Sequence, residues 1–238
     1  MGCVASAPLL AASGRPADNV LLLAVTRADA VSAAAALEAG ASLSSATRLG
    51  ESALHLAVSK SQQILTLLLE RLATGFALGG ITDESRMRIL DACTVEGFSP
   101  LHLAASLDKV EAVASLCRAG ASVDVPGHLG STPLHIAAAN GSLRSAALLL
   151  DYNAAIDFKD RHGDTPLHRA CQAGQLPMVE LLKTRGADPR VTNDDGRVPA
   201  VDSAEERKKR SAGAARAERA TRPDRDHVLA SFGPVVGQ

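Results

Sequence analysis

Apolar residues along this chain fall into two alternating kinds of run. Around Leu134 and again around Leu167 there is a compact run, Pro133-Leu134-His135-Ile136-Ala137-Ala138 and Pro166-Leu167-His168-Arg169-Ala170-Cys171. Each opens after a threonine and is closed by a glycine, Gly141 or Gly174. A second run follows, Leu148–Leu150 in one case and Leu176, Val179, Leu181 and Leu182 in the other. Its three-and-four spacing is that of a helix buried along one side. Thr165 can take an orphan backbone N–H as an N-cap, and Pro166 fits the first helical position, where no N–H is needed. Asn153 and Gly186 stand where C-caps belong. The pattern predicts pairs of short antiparallel helices, a small-residue inner one and an outer one.

The pairs keep a common phase. The central histidine recurs as His55, His102, His135 and His168, with Leu22 and Val201 in its place one period before and after. Five residues ahead stand Gly50, Gly97, Gly130, Gly163 and Gly196; eighteen residues behind the first five stand Gly40, Ala73, Gly120, Asn153 and Gly186. Asp108 and Ser61 replace the glycine between helices; Asp tolerates a left-handed backbone fairly well, Ser less so. All intervals are 33 residues except His55 to His102, which is 47 and places an insertion of 14 around residues 75–92. There Gly79-Gly80 marks a turn, and Thr82-Asp83-Glu84 caps a short helix through Met87, Ile89 and Leu90. The insertion reads either as a tolerated elaboration of a loop or as a partner-specific contact. A period of this length means stacked units, none of which can bury its apolar face alone.

Thr132–Ala137 and Thr165–Ala170 carry the motif T-P-L-H-x-A, with Ser99–Ala104 and Ser52–Ala57 as variants. In these residues the chain resembles the ankyrin repeat family. The resemblance covers residues 18–206. It implies an all-α repeat solenoid in which each unit is a β-turn and two antiparallel helices. Five units are expected, at 18–46, 47–93, 94–126, 127–159 and 160–192, with a partial C-terminal cap at 193–206. It also implies a monomeric, non-enzymatic protein-binding scaffold without cofactor, whose partner sits on the concave side formed by turn tips and inner helices. The positions there that the scaffold leaves undetermined include Leu49, Val95, Phe98, Leu107 and Leu129, which form an apolar centre. His128, Arg161, His162 and Asp164, with Asp194 and Asp195 beyond, supply a polar rim. Such a patch reads as an interaction site.

Composition agrees. Aromatic content is 2%, with no Trp, so the apolar mass is Ala, Leu and Val, which suits closely stacked short helices. The histidines stand one unit apart, about 10 Å between neighbouring helices, and cannot converge on one metal. They are expected to hydrogen-bond backbone and tie unit to unit. No phosphate-binding loop or zinc-protease motif is present. Cys93, Cys117 and Cys171 read as packing residues in a reducing, intracellular chain.

The ends differ from the middle. Met1-Gly2-Cys3-Val4-Ala5-Ser6 fits the pattern for myristoylation of Gly2, with Cys3 available for a second acyl chain. One chain binds membrane reversibly and two anchor it. Residues 7–17 read as a linker. Net charge is −1 overall, but 207–225 carries 8 basic and 2 acidic residues. The tail, 207–238, is expected to be largely disordered. It has three competing uses: a solvated end, attraction to anionic lipid, or a nuclear-import or nucleic-acid patch. The absence of aromatics among its basic residues counts against nucleic acid. The expected role is an adaptor at the cytoplasmic face of a membrane, plasma or ciliary and flagellar. The alternatives are a regulatory subunit of an enzyme, or a cytoplasmic or nuclear factor using the tail.

Overall fold

The computed structural model describes residues 15–77, 80 and 82–200; they belong to one compact unit ending at Ala200. Gly2, Cys3 and the basic tail lie outside the described residues. Five helix pairs and one added helix follow each other: α1 (Pro16–Thr26) with α2 (Ala30–Glu38), α3 (Ala53–Lys60) with α4 (Gln62–Ala77), then α5 (Asp83–Leu90). The remaining pairs are α6 (Pro100–Ser106) with α7 (Val110–Arg118), α8 (Pro133–Asn140) with α9 (Leu143–Asp151), and α10 (Pro166–Ala173) with α11 (Leu176–Thr184). The all-α repeat solenoid is thus the observed fold. Among the described residues the only β feature is an antiparallel bridge between Ala46 and Ser52.

The inner helices stack on one another in sequence order, α1 on α3, α3 on α6, α6 on α8 and α8 on α10. Their shared leucine, Leu54, Leu101, Leu134 and Leu167, is at most 1% exposed. Three residues on, Ala57, Ala104, Ala137 and Ala170 are fully buried and let the backbones approach. On the outer helices Leu116, Leu149 and Leu182 are equally inaccessible. Each such leucine stabilises by about 1.5–3 kcal/mol. The first pair closes one end. Asp18, 1% exposed, accepts the Ser42 amide at 2.8 Å and so ties α1 to the end of α2.

The second unit departs from the others in both its turns. Gly141 and Gly174 are left-handed, as are Ala28 (φ 58°) and Asp108 (φ 50°). Ser61 instead takes φ −153°, ψ 119°, so α4 starts one residue earlier relative to its motif histidine. At the other end of α4 the usual left-handed stop is occupied by Ala73, which has every reason to stay helical. The helix runs on to Ala77. The insertion therefore begins as extra helix rather than as loop.

Its second part, α5, is pinned at several points. Thr82 caps it by accepting the Ser85 amide at 3.2 Å, and Leu90 is fully buried. Arg86 donates to the Ala119 carbonyl at the end of α7, where a cation also suits the helix dipole. Asp91 then accepts the Ser122 amide at 3.0 Å. That bond opens a ladder on the outer side, continued by Asp124 to the Ala155 amide at 3.0 Å and Asp157 to the Asp188 amide at 3.2 Å.

Candidate functional site: the inner face of the middle units

The inner face is held by the motif histidines, each of which works in two directions. Within its own unit, Nδ1 of His102 accepts the Ser99 amide at 3.2 Å. The same contact recurs at His55 from Ser52 (3.2 Å), at His135 from Thr132 (3.1 Å) and at His168 from Thr165 (3.1 Å). A histidine thus plays the part that Glu or Gln plays in a capping box. Since an amide can only donate, Nδ1 must be the acceptor, and the proton sits on Nε2. Nε2 donates to the next unit: His55 to the Phe98 carbonyl (2.8 Å), His102 to Ser131 (2.8 Å), His135 to Asp164 (3.0 Å), His168 to Arg197 (2.9 Å). Each of these carbonyls also accepts an amide of its own turn, from Thr94, Gly127, Asp160 and Asn193 respectively. Both ring nitrogens of every motif histidine are occupied, and neither can bind a metal or accept a substrate proton. Burial depresses His55 and His135 and takes His102 to about 4, so these three rings are neutral near pH 7.

The turn tips are laid edge to edge. The Val95 amide donates to the Leu49 carbonyl at 3.0 Å, and Arg161 to Leu129 at 2.9 Å. In most tips a side-chain oxygen folds back on the turn. Thr47 accepts from Glu51 (3.2 Å), Thr94 from Phe98 (3.2 Å), Asp160 from Asp164 (3.1 Å) and Asn193 from Arg197 (2.9 Å). The tip between α7 and α8 has Gly127 at that place and no such oxygen. It forms a short 3-10 turn, His128–Gly130, with Leu129 at φ 54°. A Cβ on Gly127 would meet the Gly97 carbonyl and His102 Nε2, both at 2.7 Å, so the position admits nothing larger.

Where these tips meet the inner helices of the second, third and fourth units there is a pocket of about 490 Å³. Leu49, Val95, Phe98, Leu103 and Ile136 give it its apolar wall, Glu51 and Glu96 its acidic edge, and Ser106 and Asn140 a polar end. Three of the expected contact residues, Leu49, Val95 and Phe98, therefore come together. Val95 is 71% exposed, and Phe98 is half-buried with its ring 6.1 Å from that of His102. Leu107 and Leu129 are exposed but outside the pocket. Leu103 and Ile136, which sequence reasoning passed over, occupy the variable place of the motif, directly after the histidine. That register was the available signal: neighbours on both sides are buried, and this one side chain turns to the pocket.

The polar rim is less available than expected. His128, Arg161 and His162 are exposed. Asp164 is 4% exposed and fully engaged, and its assignment as a contact residue is corrected. Its carboxylate accepts from Gln172 at 2.9 Å and Asn193 at 2.8 Å and lies 3.6 Å from Arg169. Arg169 also donates to Asp160. Burial alone raises the Asp160 carboxyl, but the Arg169 guanidinium and the His162 and Asp164 amides outweigh it and hold it below the usual range. The two buried carboxylates of the last unit, Asp160 and Asp164, are spent on its own Arg169.

Neither Cys93 nor Cys117 is activated as a nucleophile. Burial pushes the Cys117 thiol up to about 11, and burial with the Asp91 carboxylate raises Cys93. Cys93 is exposed rather than packed, which corrects its expected role. Among the described residues no three His, Cys, Asp or Glu side chains gather as a metal site.

A family model for ankyrin repeats (3 copies) matches residues 21–127 and 101–193, which together span most of the chain. The chain belongs to the ankyrin repeat family. That family is typically a non-enzymatic, protein-binding module, and the chain contains such an interaction domain. No curated protein matches it.

Proposed function

We propose that this protein is a non-enzymatic adaptor that captures a partner protein in the inner-face pocket of its middle units. The observation that carries the reading is the gathering of five apolar side chains where the scaffold does not require them. Val95 and Leu49, 71% and 49% exposed, stand over half-buried Leu103 and Ile136. Exposed apolar clusters with a polar border are the ordinary anatomy of a binding hot spot. The last unit, whose Asp160 and Asp164 are held by its own Arg169, then serves as the polar edge of that surface.

The adaptor is tethered, in this reading, to the cytoplasmic face of a membrane through acylated Gly2 and Cys3. The Met-Gly-x-x-x-Ser start supports this, and the basic stretch at 207–225 adds attraction to anionic lipid, about 1 kcal/mol per basic group near the surface. Among the described residues no helix is long and apolar enough to cross a membrane. Two substitutions separate the parts. The pair Leu49→Asp and Val95→Asp should abolish co-purification of the partner while leaving the thermal midpoint unchanged, because both side chains are exposed. Gly2→Ala should move the protein to the soluble fraction. Undiminished co-purification would remove the surface, and an unchanged membrane fraction would remove the anchor.

A further inference from the structure

We infer that the segment seated in the inner-face pocket presents a bulky apolar side chain with lysine or arginine close beside it. The inference rests on the reading of this face as the partner surface, and it fixes the chemistry of the occupant. The apolar group enters against Val95, Phe98, Leu103 and Ile136, and the cation lies along Glu51 and Glu96.

The pocket edge carries negative charge that nothing in its lining matches. Six carboxylates of the described residues meet a cation within the chain, Glu84 with Arg88, Asp108 with Arg144, Asp151 with Arg185, Asp160 and Asp164 with Arg169, and Asp195 with Arg197, and most others do not. Glu51 and Glu96 meet none among the described residues, and the pocket lining holds no lysine or arginine. Arg48, on the adjoining tip, is exposed and outside the lining. The histidines behind the wall, His55 and His102, add no positive charge, since Nδ1 of each accepts an amide and the ring stays neutral. A wholly apolar segment would cover two carboxylates and leave them without a counter-charge. An acidic one would be repelled. A basic group beside the anchor removes both penalties and steers the encounter.

The test uses the full-length protein and a displayed library of random 12-residue peptides as the probe. Recovered peptides should pair Leu, Phe or Met with a neighbouring Lys or Arg. Their binding should vanish with Val95→Asp and weaken as salt is raised. With Glu51→Lys and Glu96→Lys combined it should fall about tenfold, the size expected of two solvent-edge charge pairs. The reversed protein should in turn select peptides with Asp or Glu beside the apolar group. Thermal melts of the variants, unchanged within a few degrees, exclude unfolding as the cause. Peptides lost with Val95→Asp but devoid of basic residues, or indifferent to the charge reversal, overturn the charge assignment and leave the face standing. Peptides indifferent to Val95→Asp overturn both, and a selection that recovers none overturns the linear basic segment as occupant.

Discussion

Acid should loosen this stack through its histidines, and His102 is where the effect can be measured. Its ring is fully buried, its Nδ1 accepts the Ser99 amide and its Nε2 donates to the Ser131 carbonyl. Burial is the main reason its pKa falls from 6.5 to about 4; the Ser131 carbonyl opposes the fall, and neighbouring His135 and His55 add to it. A second proton on Nδ1 would face an amide N–H and break the cap. The unfolded chain therefore binds protons that the folded chain refuses. Stability is complete above pH 6.5 and declines as the pH falls from there towards 4. At about 1.4 kcal/mol per pKa unit the contribution is about 3 kcal/mol in all, of which about 2.5 is gone at pH 4.5. His55 and His135 act in the same direction. His102→Gln separates the titration from the rest. Glutamine at this place restores the capping box but cannot hold Ser131, so the variant should be about 1–2 kcal/mol less stable at pH 7.5. Because it does not titrate, urea denaturation at pH 4.5 should find the variant as stable as the parent or more so. A gap of equal size at both pH values, or an imidazole resonance of His102 titrating near 6.5, would refute the reasoning.

Other outcomes follow from particular backbone positions. Ser61→Gly should destabilise by about 0.5–1 kcal/mol in thermal melts, because φ is −153° there and glycine only adds freedom to the unfolded chain; a gain would mean the second unit turns like the others. Leu129→Gly should stabilise by about 1 kcal/mol, relieving a left-handed leucine at φ 54°. Gly163→Ala should cost more than Gly40→Ala in the same assay. Both are left-handed, but the added Cβ at 163 meets Asp194 Oδ1 and its amide nitrogen within 2.7 Å while the one at 40 meets nothing within 4 Å.

The periodic elements were readable because each marker has a local cause: a cap before Leu134, a proline at the first turn, a residue able to turn left-handed at the end. The expected pairing of histidine with backbone was readable for the same reason. What escaped depends on contacts between units. Asp164 looks like a tip residue, and it is Asn193 of the next segment, with Arg169 and Gln172 of its own unit, that makes it an interior one. Leu103 and Ile136 look like helix core by spacing, yet they flank a groove whose other wall comes from the tips. Ala73 keeps the common phase, yet it lacks the left-handed preference of glycine or asparagine, and the second outer helix runs past it to Ala77. Arg86 reaching Ala119 crosses 33 residues and has no local signature.

The central claim is that the inner face of the middle units, and not the outer helices, receives the partner. A photo-crosslinking amino acid placed singly at Val95, at Val31 on α2 or at Leu176 on α11 tests it in living cells, since all three positions are exposed. One discrete adduct from position 95, lost on adding Leu49→Asp, with none from 31 or 176, is the expected result. Adducts of equal yield from the outer positions, or from those alone, would contradict it.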